Sequence, residues 1–117
     1  GNCGVESLQN FPYLPNLVRL DLCGNNFKGA DLVHLISRVP KLEEIYLNNN
    51  DITSYEEISP LKEIKELKVI TLSDTFLSEE DDYKDQLFSM FPGLENLDFE
   101  DREGNPVSLS SDVTEED

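Results

Sequence analysis

The sequence predicts an α/β solenoid: a right-handed coil with a parallel β-sheet on its concave side and helices and 3₁₀ turns on its convex side. Three observations carry this. The stretch Leu42 to Ile52, LEEIYLNNNDI, spaces its apolar residues as Leu-x-x-Ile-x-Leu-x-x-Asn-x-Ile. It recurs as LVRLDLCGNNF from Leu17 to Phe27, as LKVITLSDTFL from Leu67 to Leu77, and, before departing, as LENLDFED from Leu94 to Asp101. The starting leucines lie 25, 25 and 27 residues apart. One match means little, because such spacings are common; four in phase define a repeat.

This is the leucine-rich repeat signature. Ile45 and Leu47 alternate with Glu44, Tyr46 and Asn48, the period of a strand with one buried face. A single strand and its return cannot bury that face, so neighbouring coils must stack. The Asn in the ninth place ends the strand, where its amide can satisfy backbone groups of the turn and the next coil. Asn25 and Asn50 suit that role, and Cys3 and Thr75 stand in the equivalent places.

Length and charge bound the rest. At 117 residues one domain is expected, repeats over 1–107 with a cap at 83–107, then a disordered acidic tail start at 108–117. Nine Lys and Arg stand against 25 Asp and Glu, a formal charge of -16. That balance excludes direct nucleic-acid binding, which needs a basic footprint, and favours basic protein partners such as histones. Two cysteines with no convincing partner are expected as free thiols in a reducing compartment. Neither a membrane span nor a signal peptide is expected.

The convex segments follow in order. Asn2-Cys3-Gly4-Val5 resembles the end of a repeat whose strand is missing. No polar cap precedes Leu17, so the expectation is a monomer with an open N-terminal edge, the one route to end-to-end contact. After Lys28-Gly29-Ala30, Leu32, Leu35, Ile36 and Val39 recur at helical spacing, with Asp31 as a cap and Pro40 near the end. His34 sits on the other face, too isolated for metal or catalysis. Ile52, Tyr55, Ile58, Leu61, Ile64 and Leu67 recur every third residue, which suits 3₁₀ turns and coil. Lys62, Lys65 and Lys68 fall between them as a solvated basic cluster. The last return opens acidic at Ser78-Glu79-Glu80-Asp81-Asp82 and continues as a helix from Tyr83 to Phe91, stopped by Pro92-Gly93. Tyr83, Leu87, Phe88 and Phe91 should pack inward. Residues 100–106 are turn chemistry rather than another coil.

The block from Tyr83 to Asp98, YKDQLFSMFPGLENLD, resembles the C-terminal cap Tyr-Arg-x-x-x-Phe-x-x-x-Pro-x-Leu-x-x-Leu-Asp of several intracellular repeat proteins, including a spliceosomal one. More widely, NCGVESLQNFPYLPNLVRL from Asn2 to Leu20, ISPLKEIKEL from Ile58 to Leu67, and Asp101-Arg102 resemble the acidic leucine-rich nuclear phosphoprotein 32-kDa family. Nearly all of the chain takes part. The family's N-terminal cap, first repeats and long acidic tail have no counterpart here, and its Gly-Tyr after Leu-Asp is Phe99-Glu100. The resemblance implies proteins of nucleus and cytoplasm that bind histones, restrain histone acetylation and inhibit protein phosphatase 2A. A structural assembly module, spliceosomal or phosphatase-targeting, is the alternative.

Outward strand positions should form three columns on the concave face: Arg19, Glu44, Val69 and Asn96; Asp21, Tyr46, Thr71 and Asp98; Cys23, Asn48, Ser73 and Glu100. With strands ~4.8 Å apart, each column is a continuous strip. Solenoids bind extended partners on such a surface, and Tyr46 is its aromatic anchor. Arg19, Asp21, Glu44, Tyr46, Asn48, Thr71, Asp98 and Glu100 are therefore the expected partner-binding set, joined by the acidic edge Glu79, Glu80, Asp81 and Asp82. Ser78 and Thr114 each precede an acid by three residues, the pattern of acidophilic kinase sites. With one His, no phosphate loop, and no Cys or His ligand pairs, the sequence offers no catalytic, cofactor or metal site. A non-enzyme is expected.

Overall fold

The computed structural model describes residues 11–24 and 28–106. The acidic tail, Asn25, Cys3 and Thr114 lie outside the described residues. Four parallel strands, β1 (Arg19–Asp21), β2 (Glu44–Tyr46), β3 (Val69–Thr71) and β4 (Asn96–Leu97), form one sheet in the order β1-β2-β3-β4. Their register puts Leu20, Ile45, Ile70 and Leu97 in one row. Those four side chains are fully buried, so the alternation in each repeat chose the face. Past β1 and β2 the ladder continues, with Leu22 N–H donating to Tyr46 O at 2.8 Å and Leu47 N–H to Thr71 O at 2.9 Å.

The convex returns differ from coil to coil. Residues 29–35 form a 3₁₀ helix that buries Leu32 and Leu35, with Val39 buried beyond it and Ile36 only partly. A full helix capped by Asp31 is therefore corrected: Lys28 holds the cap position, and no side chain caps it. A 3₁₀ turn rises ~2.0 Å per residue against ~1.5 Å in an α-helix, so a short return can match the breadth of the coil. This return also packs closely against the next one. A Cβ on Gly29 would lie 2.6 Å from Glu57 Oε1, so only glycine allows the approach.

The second return is one turn of helix, α1 (Tyr55–Ile58), running into a 3₁₀ segment at Ser59–Glu63. Its every-third-residue pattern is realised: Ile52, Ile58, Leu61, Ile64 and Leu67 are buried and Tyr55 is half-buried. Glu57 Oε1 accepts the N–H groups of Thr53 and Ser54 at 2.8 and 3.3 Å, which satisfies donors at the helix start. The third return holds a 3₁₀ turn at Leu77–Glu79 and then α2 (Tyr83–Met90). Tyr83, Leu87 and Phe91 are buried, and Phe88 packs at the margin.

The ninth-place residues hold the turns. Asn50 Nδ2 donates to Leu47 O at 3.1 Å and reaches the previous coil at Leu22 O, 2.8 Å away. Thr75 Oγ1 donates to Leu72 O at 2.6 Å and accepts from Ser78 N–H at 3.3 Å. Just before each, the chain turns left-handed, at Asn49 (φ 63°) and Asp74 (φ 63°), with Gly24 (φ 68°) in the equivalent place of the first coil. Asn and Asp tolerate that conformation better than other non-glycine residues.

The last coil breaks the pattern. Leu97 and Glu100 exchange backbone hydrogen bonds of 2.8 and 3.0 Å, closing a two-residue hairpin. Both loop residues have positive φ, Asp98 at 53° and Phe99 at 67°, as a type I′ turn demands. Glu100 then bridges antiparallel to Pro106. Arg102 lies over the Phe88 ring at 4.8 Å and donates to Phe91 O and Pro92 O at 3.2 and 2.8 Å. These bonds satisfy carbonyls at the end of α2.

Candidate protein-binding face

The concave columns form in the predicted register: Arg19, Glu44, Val69 and Asn96 are successive neighbours, as are Asp21, Tyr46 and Thr71. They do not form a uniform polar face. Arg19 Nε sits 2.6 Å from Glu44 Oε1, and the Tyr46 hydroxyl donates to that oxygen at 2.5 Å. The Arg19 hydrogen bond holds the Glu44 carboxyl below its ordinary range. Burial, and then the bond to Glu44, push the Tyr46 phenol up to about 12. Asp21 accepts the Cys23 N–H at 3.0 Å. Burial, with Asp21 beside it, raises the Cys23 thiol to about 11, so this free cysteine stays protonated at neutral pH.

Two expected site residues are placed otherwise. Thr71 stands beside Tyr46 but is fully buried, and Val69 is 3% exposed. Asp98 turns into the cap: one oxygen accepts Leu72 N–H at 2.6 Å and the other accepts the Tyr83 hydroxyl at 2.6 Å. Loss of solvent around Tyr83 and the adjacent Asp98 charge push its phenol far above the ordinary tyrosine range.

The ring that meets Tyr46 is Phe99. In register it continues the inward row of Leu22, Leu47 and Leu72, so alternation assigns it to the core. The hairpin at Asp98-Phe99 reverses the chain first. The ring comes out 43% exposed and stacks on Tyr46, with centroids 6.3 Å apart and planes 17° from parallel. Tyr46 is on β2 and Phe99 follows β4, so the pair spans β3 at the level of Thr71. The Thr71 hydroxyl and the Asn48 Oδ1 are buried without a partner. Sequence reasoning missed Phe99 as a surface residue. The signal was Phe in a place where the resembling family has the glycine that a type I′ turn prefers.

Elsewhere, Glu100 pairs with Lys84. Glu79, Glu80, Asp81 and Asp82 are all exposed along the start of α2, with Asp82 3.4 Å from the Tyr55 hydroxyl. Ser78 is half-buried in the 3₁₀ turn and donates to Thr75 O at 2.7 Å, so a kinase would have to open that turn. Lys62 and Lys65 are exposed, and Lys68 lies 3.4 Å from Glu43.

A parallel sheet walled by 3₁₀ turns, with Asn50 bonding from one coil to the one before and a helical cap, defines a leucine-rich repeat module, a class that works by binding protein. The chain belongs to the leucine-rich repeat family, which it matches over residues 2–105. Within it the kinship is with the acidic leucine-rich nuclear phosphoproteins. Acidic leucine-rich nuclear phosphoprotein 32 family member A of Drosophila melanogaster is 33% identical over 111 residues, covering 95% of this chain and 42% of the relative. A Tetrahymena thermophila protein named as a histone is 32% identical over 103 residues, 88% of this chain and 26% of the relative. Among solved structures, a chain of the Drosophila melanogaster SNF/U2A' complex superposes with a TM-score of 0.71 at 30% identity, covering 82% of this chain and 55% of that one. This chain thus spans less than half the length of those curated relatives.

Proposed function

We propose that the chain is a non-enzymatic binding regulator of nuclear proteins, one that engages histones and other basic partners and restrains phosphatase 2A. The observation that carries this is charge: 25 acidic residues against nine basic ones, with Arg19, the cation of the concave columns, already neutralised by Glu44. Such a surface attracts basic proteins over a Debye length and raises their encounter rate. Kinship with nuclear phosphoproteins and with a relative named as a histone supports a chromatin setting. The exposed acids Glu79 to Asp82 extend the field beside the cap. Phosphatase 2A inhibition and presence in both nucleus and cytoplasm rest on the family resemblance.

The test is titration of core histones at rising ionic strength. Binding should weaken steeply with salt; no binding at low salt, or indifference to salt, sinks the reading. Phosphatase 2A inhibition is read separately, as turnover of a phosphopeptide at increasing concentrations of the chain. Similarity to a chain of the SNF/U2A' complex favours a second reading, a structural module that holds one defined partner through Tyr46. Loss of all partners in a Tyr46→Ala pull-down, with little salt effect, would select it.

A further inference from the structure

A fully buried hydroxyl without a hydrogen bond is costly, and Thr71 carries one at the middle of the concave face. Asn48 Oδ1, two residues beyond Tyr46 on the same strand face, is buried and unpartnered as well. Both atoms accept hydrogen bonds. Beside them lies the Tyr46 ring, whose covering partner Phe99 sits in a left-handed conformation that a bulky residue rarely adopts. Two waiting acceptors and an aromatic face under a strained, displaceable ring describe an occupied receptor for something flat that donates N–H groups.

The geometry points to a slot for an arginine side chain of a basic partner, with Tyr46 as its floor, Asn48 and Thr71 as its acceptors, and Phe99 filling it in the free protein. A guanidinium is planar, stacks on aromatic faces and presents donors in a fixed fork. In the place of the Phe99 ring it would stack on Tyr46, with the unpartnered oxygens of Thr71, the strand neighbour of Tyr46, and of Asn48, two residues along, as its acceptors. A lysine ammonium is a compact, strongly hydrated point charge and cannot stack flat. The Arg19–Glu44 ion pair beside the slot is neutral overall and does not oppose a cation, and the attraction comes from the chain's net charge of -16. The displaced Phe99 is carried on a two-residue hairpin, so release needs local backbone change only. This rests on the basic-partner reading above and adds a position and a side-chain preference to it.

The probes are blocked octa-arginine and octa-lysine peptides of equal charge, titrated by calorimetry at low salt. Phe99→Gly, which empties the slot and suits the turn, should tighten octa-arginine about fivefold and leave octa-lysine within about twofold, since one added hydrogen bond or stacking contact changes an affinity by that order. Thr71→Val keeps the shape and removes the hydroxyl; it should lower the arginine-to-lysine affinity ratio about fivefold, with far-UV circular dichroism unchanged. The Tyr46 ring proton shifts should move with octa-arginine and not with octa-lysine. If both variants leave the ratio unchanged while both peptides bind, the slot is overturned and charge-driven binding stands. If neither peptide binds the unaltered chain at low salt, the basic-partner reading falls, and the slot with it.

Discussion

The Tyr83 hydroxyl donates to Asp98 at 2.6 Å, and the other oxygen of the same carboxylate accepts the Leu72 amide at 2.6 Å. One side chain thereby ties the cap helix to the end of β3. It also holds the first residue of the hairpin that throws Phe99 onto Tyr46.

Removing one end of this link should destabilise the fold by an amount set by the group left behind. Tyr83→Phe gives up the hydrogen bond of a buried phenol to a carboxylate, and about 1.5–3 kcal/mol is expected. Asp98→Ala strands both the phenol and the Leu72 amide and should cost about 3 kcal/mol or more. Urea unfolding checks the order; equal losses would mean that the amide finds another acceptor.

Asn50 spans two coils, whereas the described bonds of Thr75 stay within its own. Asn50→Leu leaves the buried Leu22 and Leu47 carbonyls without that donor and should cost about 2–4 kcal/mol. The midpoint of urea denaturation reads this directly.

Phe99→Gly should leave global stability almost unchanged. Relief of a positive φ in a bulky residue is worth about 1–2 kcal/mol, and the lost aromatic stack about 0.5–1.5 kcal/mol in the other direction. A melting temperature within about 5 °C of the unaltered chain is the expected result. A large fall would make Phe99 a structural plug rather than a displaceable cover.

The Arg19–Glu44 pair gives stability a defined pH direction. Arg19 holds the Glu44 carboxyl below its ordinary range in the folded chain. The unfolded state therefore binds the Glu44 proton more readily. Stability from this pair is fully present above the unfolded carboxyl pKa and is lost as pH falls through the depressed folded value. Glu44→Gln should flatten that part of the acid limb, measured as the denaturation midpoint against pH.

Cys23 should be a slow thiol. Its pKa near 11 leaves little thiolate at pH 8. In a Cys3→Ser background, reaction with a disulfide reagent should be much slower than that of a free cysteine and should accelerate as pH approaches about 11.

The repeat phase is legible because strand alternation and coil spacing are local properties. Leu20, Ile45, Ile70 and Leu97 fall into one row for that reason. The every-third spacing from Ile52 to Leu67 likewise forecasts 3₁₀ turns and coil, which Ser59–Glu63 realises, while Tyr55–Ile58 forms one turn of α-helix that the spacing does not foretell. The first return is less legible, since Leu32, Leu35 and Val39 satisfy a 3₁₀ turn nearly as well as an α-helix. The close approach of Glu57 to Gly29 joins it to a coil that no local window contains.

By itself, then, the order of residues determined how many strands stack, in what register, and that the row Leu20, Ile45, Ile70 and Leu97 enters the core, because a period of two assigns one face inward. Only the tertiary structure decided what the concave face presents. Alternation puts Phe99 on the inward row and Thr71 on the outward one, whereas the hairpin at Asp98-Phe99 leaves the Phe99 ring 43% exposed against Tyr46 and Thr71 is fully buried. That reversal depends on Tyr83 holding Asp98, on the chain returning beside Glu100, and on a ring two strands away for Phe99 to meet. Contacts between residues so far apart in sequence exist only once the coil is wound.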